Sequence, residues 1–197
     1  MGQTTLDDET RALLTLSFVR GMGATKLGKL LEQFDSAVKC LAADDASLRR
    51  AGLSSRLVVA VMQAREDGIP EDEEARLLAP DLSFVRKGDD AYPVLLKHIY
   101  DPPPLLYVKG ALLREEPTIA IVGSRWADAA ALRRTREIAE GMAAEGFTVI
   151  SGLAEGVDTQ AHQGALEGGG RTIAVLANGL ATVYPALNTE LAESIKG

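Results

Sequence analysis

Three short apolar segments alternate with two amphipathic segments between residues 118 and 177, and this alternation limits the possible folds more than any other feature of the chain. The amphipathic segments cover about 127–145 and 159–167, and the apolar ones read TIAIVGS, FTVIS and RTIAVLA. Strands that alternate with helices in this way form βαβ units, whose strands lie parallel and whose helices cover the sheet. The sequence therefore predicts an α/β fold built on a parallel sheet.

The first 66 residues have a different pattern. Apolar residues recur there at helical spacing, with Gly- or Asp-containing breaks, in the segments RALLTLSFV, KLGKLLEQF, AVKCLA and SRLVVAVMQA. A strongly acidic stretch, DGIPEDEE, follows at 67–74 and suits a solvated boundary or the start of a polar helix. We therefore predict two domains, a helical one over residues 1–70 and the α/β one over residues 71–197.

The charge of the chain argues against a broad basic surface for nucleic acid. The 197 residues include 21 Lys and Arg against 28 Asp and Glu, which gives a formal net charge of −7. Proteins that coat a polyanion with a basic field have the opposite balance. If this chain binds a polyanion, we expect backbone N–H groups and a few arginines to do so.

Composition also speaks against several other classes of protein. Cys40 is the only cysteine, and His98 and His162 are the only histidines, so neither an internal disulfide nor a Cys/His zinc site is expected. We predict no metal and no cofactor. No apolar run approaches the roughly 20 residues that span a bilayer, and the start MGQTTLDDE is unlike a signal peptide. A cytoplasmic location without membrane contact is therefore expected.

The first strand of the α/β part ends at Gly123, Ser124 and Arg125, just before a helix. In open α/β sheets ligands bind beyond the carboxyl ends of the strands, where unpaired N–H groups favour anions. A glycine allows close backbone approach, a serine hydroxyl can donate to a phosphate, and an arginine fork suits two phosphate oxygens. The same three residues could instead be a helix cap with a solvated arginine, and the sequence leaves both interpretations open.

The second strand runs into the loop SGLAEGVD, which begins with Ser151 and Gly152 and contains Gly156. The two glycines have no side chain to cover the neighbouring backbone amides, and the loop is expected at the same sheet edge as the first. The two loops lack the G-x-G-x-x-G fingerprint and the G-K-[ST] of a Walker loop, so NAD and ATP are not indicated.

A catalytic interpretation of this loop can be weighed against a structural one. Ser151, Asp158 and His162 are the residue types of a nucleophile, an orienting carboxylate and a base. Asp158 is better explained as the N-cap of the following helix, and His162 as a polar group of its first turn. No catalytic residue is therefore predicted.

The third strand leads to Asn178 and Gly179, then to Tyr184 and Asn188, at the same edge as the other two loops. Asn and Gly suit a tight turn. Tyr184 could stack on a nucleic acid base or close the core, and the structural role is favoured.

Several spaced motifs in this order resemble the DNA-processing protein A family, also called DprA or Smf. They are found over about residues 82–195 and read YPVLLKHIYDPPPLLYVKG, AIVGSR, SGLAEGVDTQAHQGAL and GRTIAVLANGLATVYPALN. The helical part, with its turn GMGATK at 21–26, is similar to the SAM-like or helix-hairpin-helix domain that precedes the core in many members. The resemblance implies a Rossmann-like core after a small all-α domain.

The resemblance also implies a function. Members bind incoming single-stranded DNA during natural transformation, protect it, help to load RecA and dimerise through the core, and they act as mediators rather than as established enzymes. Carried over to this sequence, the phosphate-binding residues are expected at Gly123, Ser124, Arg125, Ser151, Gly152 and Gly156. The basic residues that often follow the YP..N segment are missing, because Thr189 and Glu190 follow Asn188 here.

Two further expectations concern the extent of the chain and a competing function. The family core continues with strands and motifs that are absent before residue 197, so the sequence is expected to be a truncated form. The alternative to DNA binding is a nucleotide-binding enzyme on a similar Rossmann-like core, of the nucleotide phosphoribohydrolase type. Its PGG.GT..E signature does not occur in this chain.

Overall fold

The computed structural model describes residues 6–196, which form two compact units. One unit extends to Val108 and the other begins at Lys109. Among the described residues, no helix is both long enough and apolar enough to cross a membrane.

The first unit is mostly helical. Its cores are made by leucine and valine side chains, with Leu13, Leu16, Leu30 and Val58 almost fully buried in the main one. Its elements are α1 (Asp8–Phe18), α2 (Ala24–Phe34), α3 (Ala37–Ala42), α4 (Asp45–Arg50), α5 (Ser55–Asp67), α6 (Glu71–Leu77), β1 (Leu82–Arg86), α7 (Val94–Lys97) and β2 (Leu105–Lys109), whose last residue already belongs to the second unit. The helical N-terminal part predicted from the sequence is therefore present.

The segment GMGATK forms the turn between α1 and α2. Gly21 has a φ of +95°, which favours glycine, and Gly23 caps α2 without a side chain. The Lys26 ammonium donates to the carbonyl of Gly21 at 3.1 Å, and this hydrogen bond joins the first turn of α2 to the residues that precede the helix.

Residues 71–108 belong to the same compact unit as the N-terminal helices. A second small core joins Leu14 of α1 to Ile69 and Leu77, and Phe84 of β1 packs against it. β1 and β2 form a two-stranded sheet. The division into domains 1–70 and 71–197 stays a prediction, because these contacts describe packing and not the limits of an independent domain.

The second unit contains the predicted parallel sheet. Its elements are β3 (Thr118–Ala120), α8 (Ala129–Ala144), β4 (Thr148–Ser151), α9 (Val157–Glu167), β5 (Thr172–Ala174), a short 3-10 helix (Ala186–Asn188) and α10 (Thr189–Lys196). The strand order is β3-β4-β5, and both pairs are parallel. Ile119 lies opposite Val149, and Ile150 lies opposite Ile173. The α/β, Rossmann-like prediction is confirmed.

Helices α8 and α9 pack with their backbones unusually close. A Cβ added to Gly164 of α9 would lie 2.3 Å from the carbonyl oxygen of Arg136, and one added to Gly168 would lie 2.5 Å from that of Glu140. The surrounding core consists of small side chains, including the buried Ala139. This contact depends on glycine because no side chain fits between the helices.

Candidate functional site

The loops that follow β3 and β4 meet at the carboxyl edge of the sheet. The carbonyl of Ser124 accepts a hydrogen bond from the amide of Val157 at 3.2 Å. Gly156 has a φ of +81°, and a Cβ there would lie 2.4 Å from the oxygen of Ser124. The structure thus brings together the two segments, 123–125 and 151–156, that the sequence places at one edge.

Gly123 allows this approach from the other side. A Cβ on Gly123 would lie 2.8 Å from Cγ2 of Val157, a distance that real Cβ atoms avoid. The glycine therefore lets the end of β3 sit directly against the start of α9.

The first loop presents donors to solvent. Gly123, Ser124 and Arg125 are exposed, and within residues 6–196 their amides donate no hydrogen bond. Over the same residues the guanidinium of Arg125 forms no ion pair. The hydroxyl of Ser124 accepts from the amide of Trp126 at 3.0 Å, which closes the turn. Exposed amides beside an arginine form a surface suited to an anion such as phosphate.

The second loop uses its polar groups differently. The hydroxyl of Ser151 is buried and donates to the carbonyl of Ile121 at 2.6 Å. The amide of Gly152 donates to Oδ2 of Asp158 at 3.1 Å. Both groups have partners inside the protein, so in this structure Ser151 and Gly152 shape the loop and do not offer these donors to a ligand.

The predicted N-cap role of Asp158 is wrong. Helix α9 begins at Val157, its N-cap is Gly156, and no side chain caps it. Asp158 is instead a nearly buried residue of the first turn, where its carboxylate is stabilised by the Gly152 amide and by the partial positive charge of the helix start. Glycine is required before the helix because the φ of this position is positive.

The expectation that His162 is a polar group of the first helical turn is also wrong. His162 is fully buried, and its Nδ1 lies 2.6 Å from Oγ1 of Thr172. The Thr172 hydroxyl donates to the carbonyl of Val149 at 2.8 Å, so Nδ1 of His162 carries the proton and donates to Thr172. Burial lowers the pKa of His162 to about 4, although the charge of Asp158 opposes this shift.

These contacts do not assemble a nucleophile. The hydroxyl of Ser151 bonds to a backbone carbonyl and the ring of His162 bonds to Thr172. A serine activated for attack needs its hydroxyl bonded to the base. The structural interpretation of Ser151, Asp158 and His162 therefore fits the geometry better than the catalytic one.

The third loop is tied to the second by Asn188. Its buried side-chain amide donates to the carbonyl of Leu153 and to the hydroxyl of Thr159, both at 2.9 Å. Leu153 has a φ of +60°, which is uncommon for a residue with a branched side chain. Tyr184 is 67 % exposed and does not close the core.

Sequence reasoning missed Trp126. This side chain is 89 % exposed and directly follows Arg125 in the turn after β3. The available signal was its place in the sequence, because a large aromatic residue just beyond the end of an apolar strand lies where ligands of α/β folds bind.

The family model described as DNA recombination-mediator protein A matches residues 83–197. Among curated proteins, Protein Smf of Synechocystis sp. is 35% identical over 190 residues, which cover 92% of this chain and 47% of that protein. The DNA processing protein DprA of Streptococcus pneumoniae is 44% identical over 108 residues, 54% of this chain and 38% of that protein. The chain thus spans about half the length, or less, of these relatives.

Solved structures agree with this similarity. The X-ray structure of DNA processing protein A from Streptococcus pneumoniae superposes with a TM-score of 0.77 at 30% identity, over 93% of this chain and 63% of that one. A second structure, which concerns the single-stranded DNA binding mode of DNA processing protein A from Helicobacter pylori, has a TM-score of 0.51 at 28% identity. It covers 58% of this chain and 51% of that one.

Proposed function

Because the chain belongs to the DNA recombination-mediator protein A family, we propose that it binds single-stranded DNA, with phosphate groups held at the turn formed by residues 123–126. The observation that carries the proposal is the exposed Arg125, which has no ion-pair partner among residues 6–196 and lies beside three amides that donate no hydrogen bond there. A related protein whose structure concerns single-stranded DNA binding supports the choice of ligand.

The acidity of the chain limits how it can hold DNA. A net charge of −7 repels a polyanion at long range, so the proposed contact is local and made by few groups. Affinity should therefore fall less steeply with salt than for a protein with a basic surface, because each neutralised phosphate adds to the slope.

We extend the proposal to the whole protein that the relatives represent. It would act in the cytoplasm as a homodimeric mediator of natural transformation that protects the incoming strand and helps to load RecA. A binding role is favoured over a catalytic one because the hydroxyl of Ser151 and the ring of His162 each bond to other groups. Of the residues expected to form the phosphate site, Gly123 and Gly156 would allow the loops to approach each other, and Ser124 and Arg125 would contact phosphate.

Arg125→Ala is expected to weaken binding of a single-stranded oligonucleotide several-fold at low salt and to reduce the slope of log affinity against log salt by about 0.7. One phosphate contact, and the counterion released with it, is lost. Fluorescence anisotropy of a labelled oligothymidylate over a series of salt concentrations measures both quantities.

Arg56→Ala is the matched control, because it removes one exposed arginine from α5, in the helical unit. It should leave the salt slope unchanged. Equal slopes for wild type and Arg125→Ala would rule out a phosphate contact at Arg125, and absence of binding to any single strand would refute the proposed function.

A further inference from the structure

The indole of Trp126 is the most unusual exposed group of the second unit. It is 89 % exposed, whereas tryptophan side chains in proteins are on average largely buried. It is also the only tryptophan of the chain. A large, flat, apolar ring that is exposed beside a candidate phosphate site is suited to stack against a ligand with a flat face.

The turn places this ring next to the proposed phosphate contact. Trp126 and Arg125 are consecutive, so their Cα atoms are about 3.8 Å apart. The amide of Trp126 donates to the hydroxyl of Ser124 at 3.0 Å, and this bond stabilises the turn. Arg125 and Trp126 therefore belong to one short segment, and the spacing of their Cα atoms lies within the size of a single nucleotide.

We propose that Trp126 is a stacking platform for one unpaired base, whose phosphate is held by Arg125 and the neighbouring amides. The inference rests on the proposed function and adds to it the residue that selects single strands. Every base has a π-face, so stacking tolerates any sequence. In a duplex both faces of an internal base are covered by its neighbours, so a platform of this kind discriminates against double-stranded DNA.

The single tryptophan makes the proposal directly measurable. Titration of the 197-residue chain with oligothymidylate should quench the fluorescence of Trp126, because a stacked base lies against the indole. An abasic oligonucleotide of the same length carries the phosphates without the bases. It should bind more weakly and leave the fluorescence almost unchanged, and a matched duplex should quench little.

Three variants separate stacking from other effects, with anisotropy of labelled oligothymidylate as the measure of affinity. Trp126→Ala should weaken binding roughly tenfold, within the range reported for loss of one stacked base. Trp126→Phe should retain part of the affinity because it keeps a smaller ring. Tyr100→Ala, which removes a fully exposed aromatic side chain from the first unit, should have no effect. Circular dichroism checks that each variant is folded.

The outcomes distinguish the two levels of the proposal. The role of Trp126 would be overturned if the wild type bound oligothymidylate without quenching of its fluorescence. It would also be overturned if Trp126→Ala bound with full affinity. Either result would leave the DNA-binding function intact. If Trp126→Ala lost as much affinity for the abasic oligonucleotide as for oligothymidylate, the stacking role would also be overturned. Absence of binding to any single strand would overturn the function and the platform together.

Discussion

Gly164→Ala is expected to lower the free energy of unfolding of the second unit by about 3 kcal/mol, the upper part of the range for overpacking in a close contact. The new methyl group would lie 2.3 Å from the carbonyl oxygen of Arg136 and 3.1 Å from Cβ of Ala139. These neighbours belong to the backbone and to a short side chain, so they cannot rotate away and α8 and α9 must separate. Urea denaturation followed by far-ultraviolet circular dichroism measures the loss.

Gly141→Ala is the matched control, because it makes the same change within α8, where the added Cβ would have no atom from elsewhere in residues 6–196 within 4 Å. Alanine has the higher helix propensity, so this variant should gain up to about 1 kcal/mol. Opposite signs for the two substitutions are the expected result. A stability of Gly164→Ala equal to that of wild type would show that the helices do not pack as closely as described.

The second large effect is a loss of stability in acid caused by His162. Its pKa is lowered by burial from an ordinary value of 6.5 to about 4 in the folded protein. Between these values the unfolded chain binds more protons than the folded one, so stability rises with pH across this window and is lost as pH falls from 6.5 to 4. At about 1.4 kcal/mol for each pKa unit, the full loss is about 3 kcal/mol.

The measurement is the free energy of unfolding at several pH values, for wild type and for His162→Gln. Glutamine can still donate to Thr172 but does not titrate, so the variant should lack this part of the pH dependence. Carboxylates titrate in both proteins, and the difference between them isolates the histidine. His98→Gln, a change at the exposed histidine, serves as the control and should behave as wild type. Parallel pH profiles for wild type and His162→Gln would contradict the assignment.

Local periodicity was enough to predict the α/β architecture. Short apolar runs and amphipathic segments of period 3.6 are short-range patterns, and the parallel pairing of β3, β4 and β5 follows from the helices between them. The start of α9 was placed two residues late, because the sequence does not show that Gly156 adopts a positive φ and becomes the N-cap.

The burial of His162 could not be predicted from its spacing to Asp158. Its hydrogen-bond partner, Thr172, lies on the next strand, and only the fold brings the two side chains together. Sequence spacing described His162 only as a polar group of the first turn, because it contains no information on which strand packs against that position.

The candidate site was predictable to the level of its two loops. Strand carboxyl ends meet at one edge, and the contact between Ser124 and Gly156 follows from that topology. A sequence pattern does not give atomic positions to within a few tenths of an ångström. It therefore could not predict the hydrogen-bond partners of the Ser151 hydroxyl and the Gly152 amide. Trp126 was missed because the prediction relied on repeating residue patterns, and a single aromatic residue forms no such pattern.

The hydrogen bond from Asn188 to Leu153 affects the conformational entropy of the second loop. Its amide holds the carbonyl of Leu153, so the second loop is fixed in a sparsely populated backbone conformation by a residue 35 positions further along the chain. The conformational entropy of that loop is therefore lost when the unit folds and not when a ligand arrives. Under the proposed function, a second loop organised in advance would support the turn at 123–126 without adding an ordering cost to DNA binding.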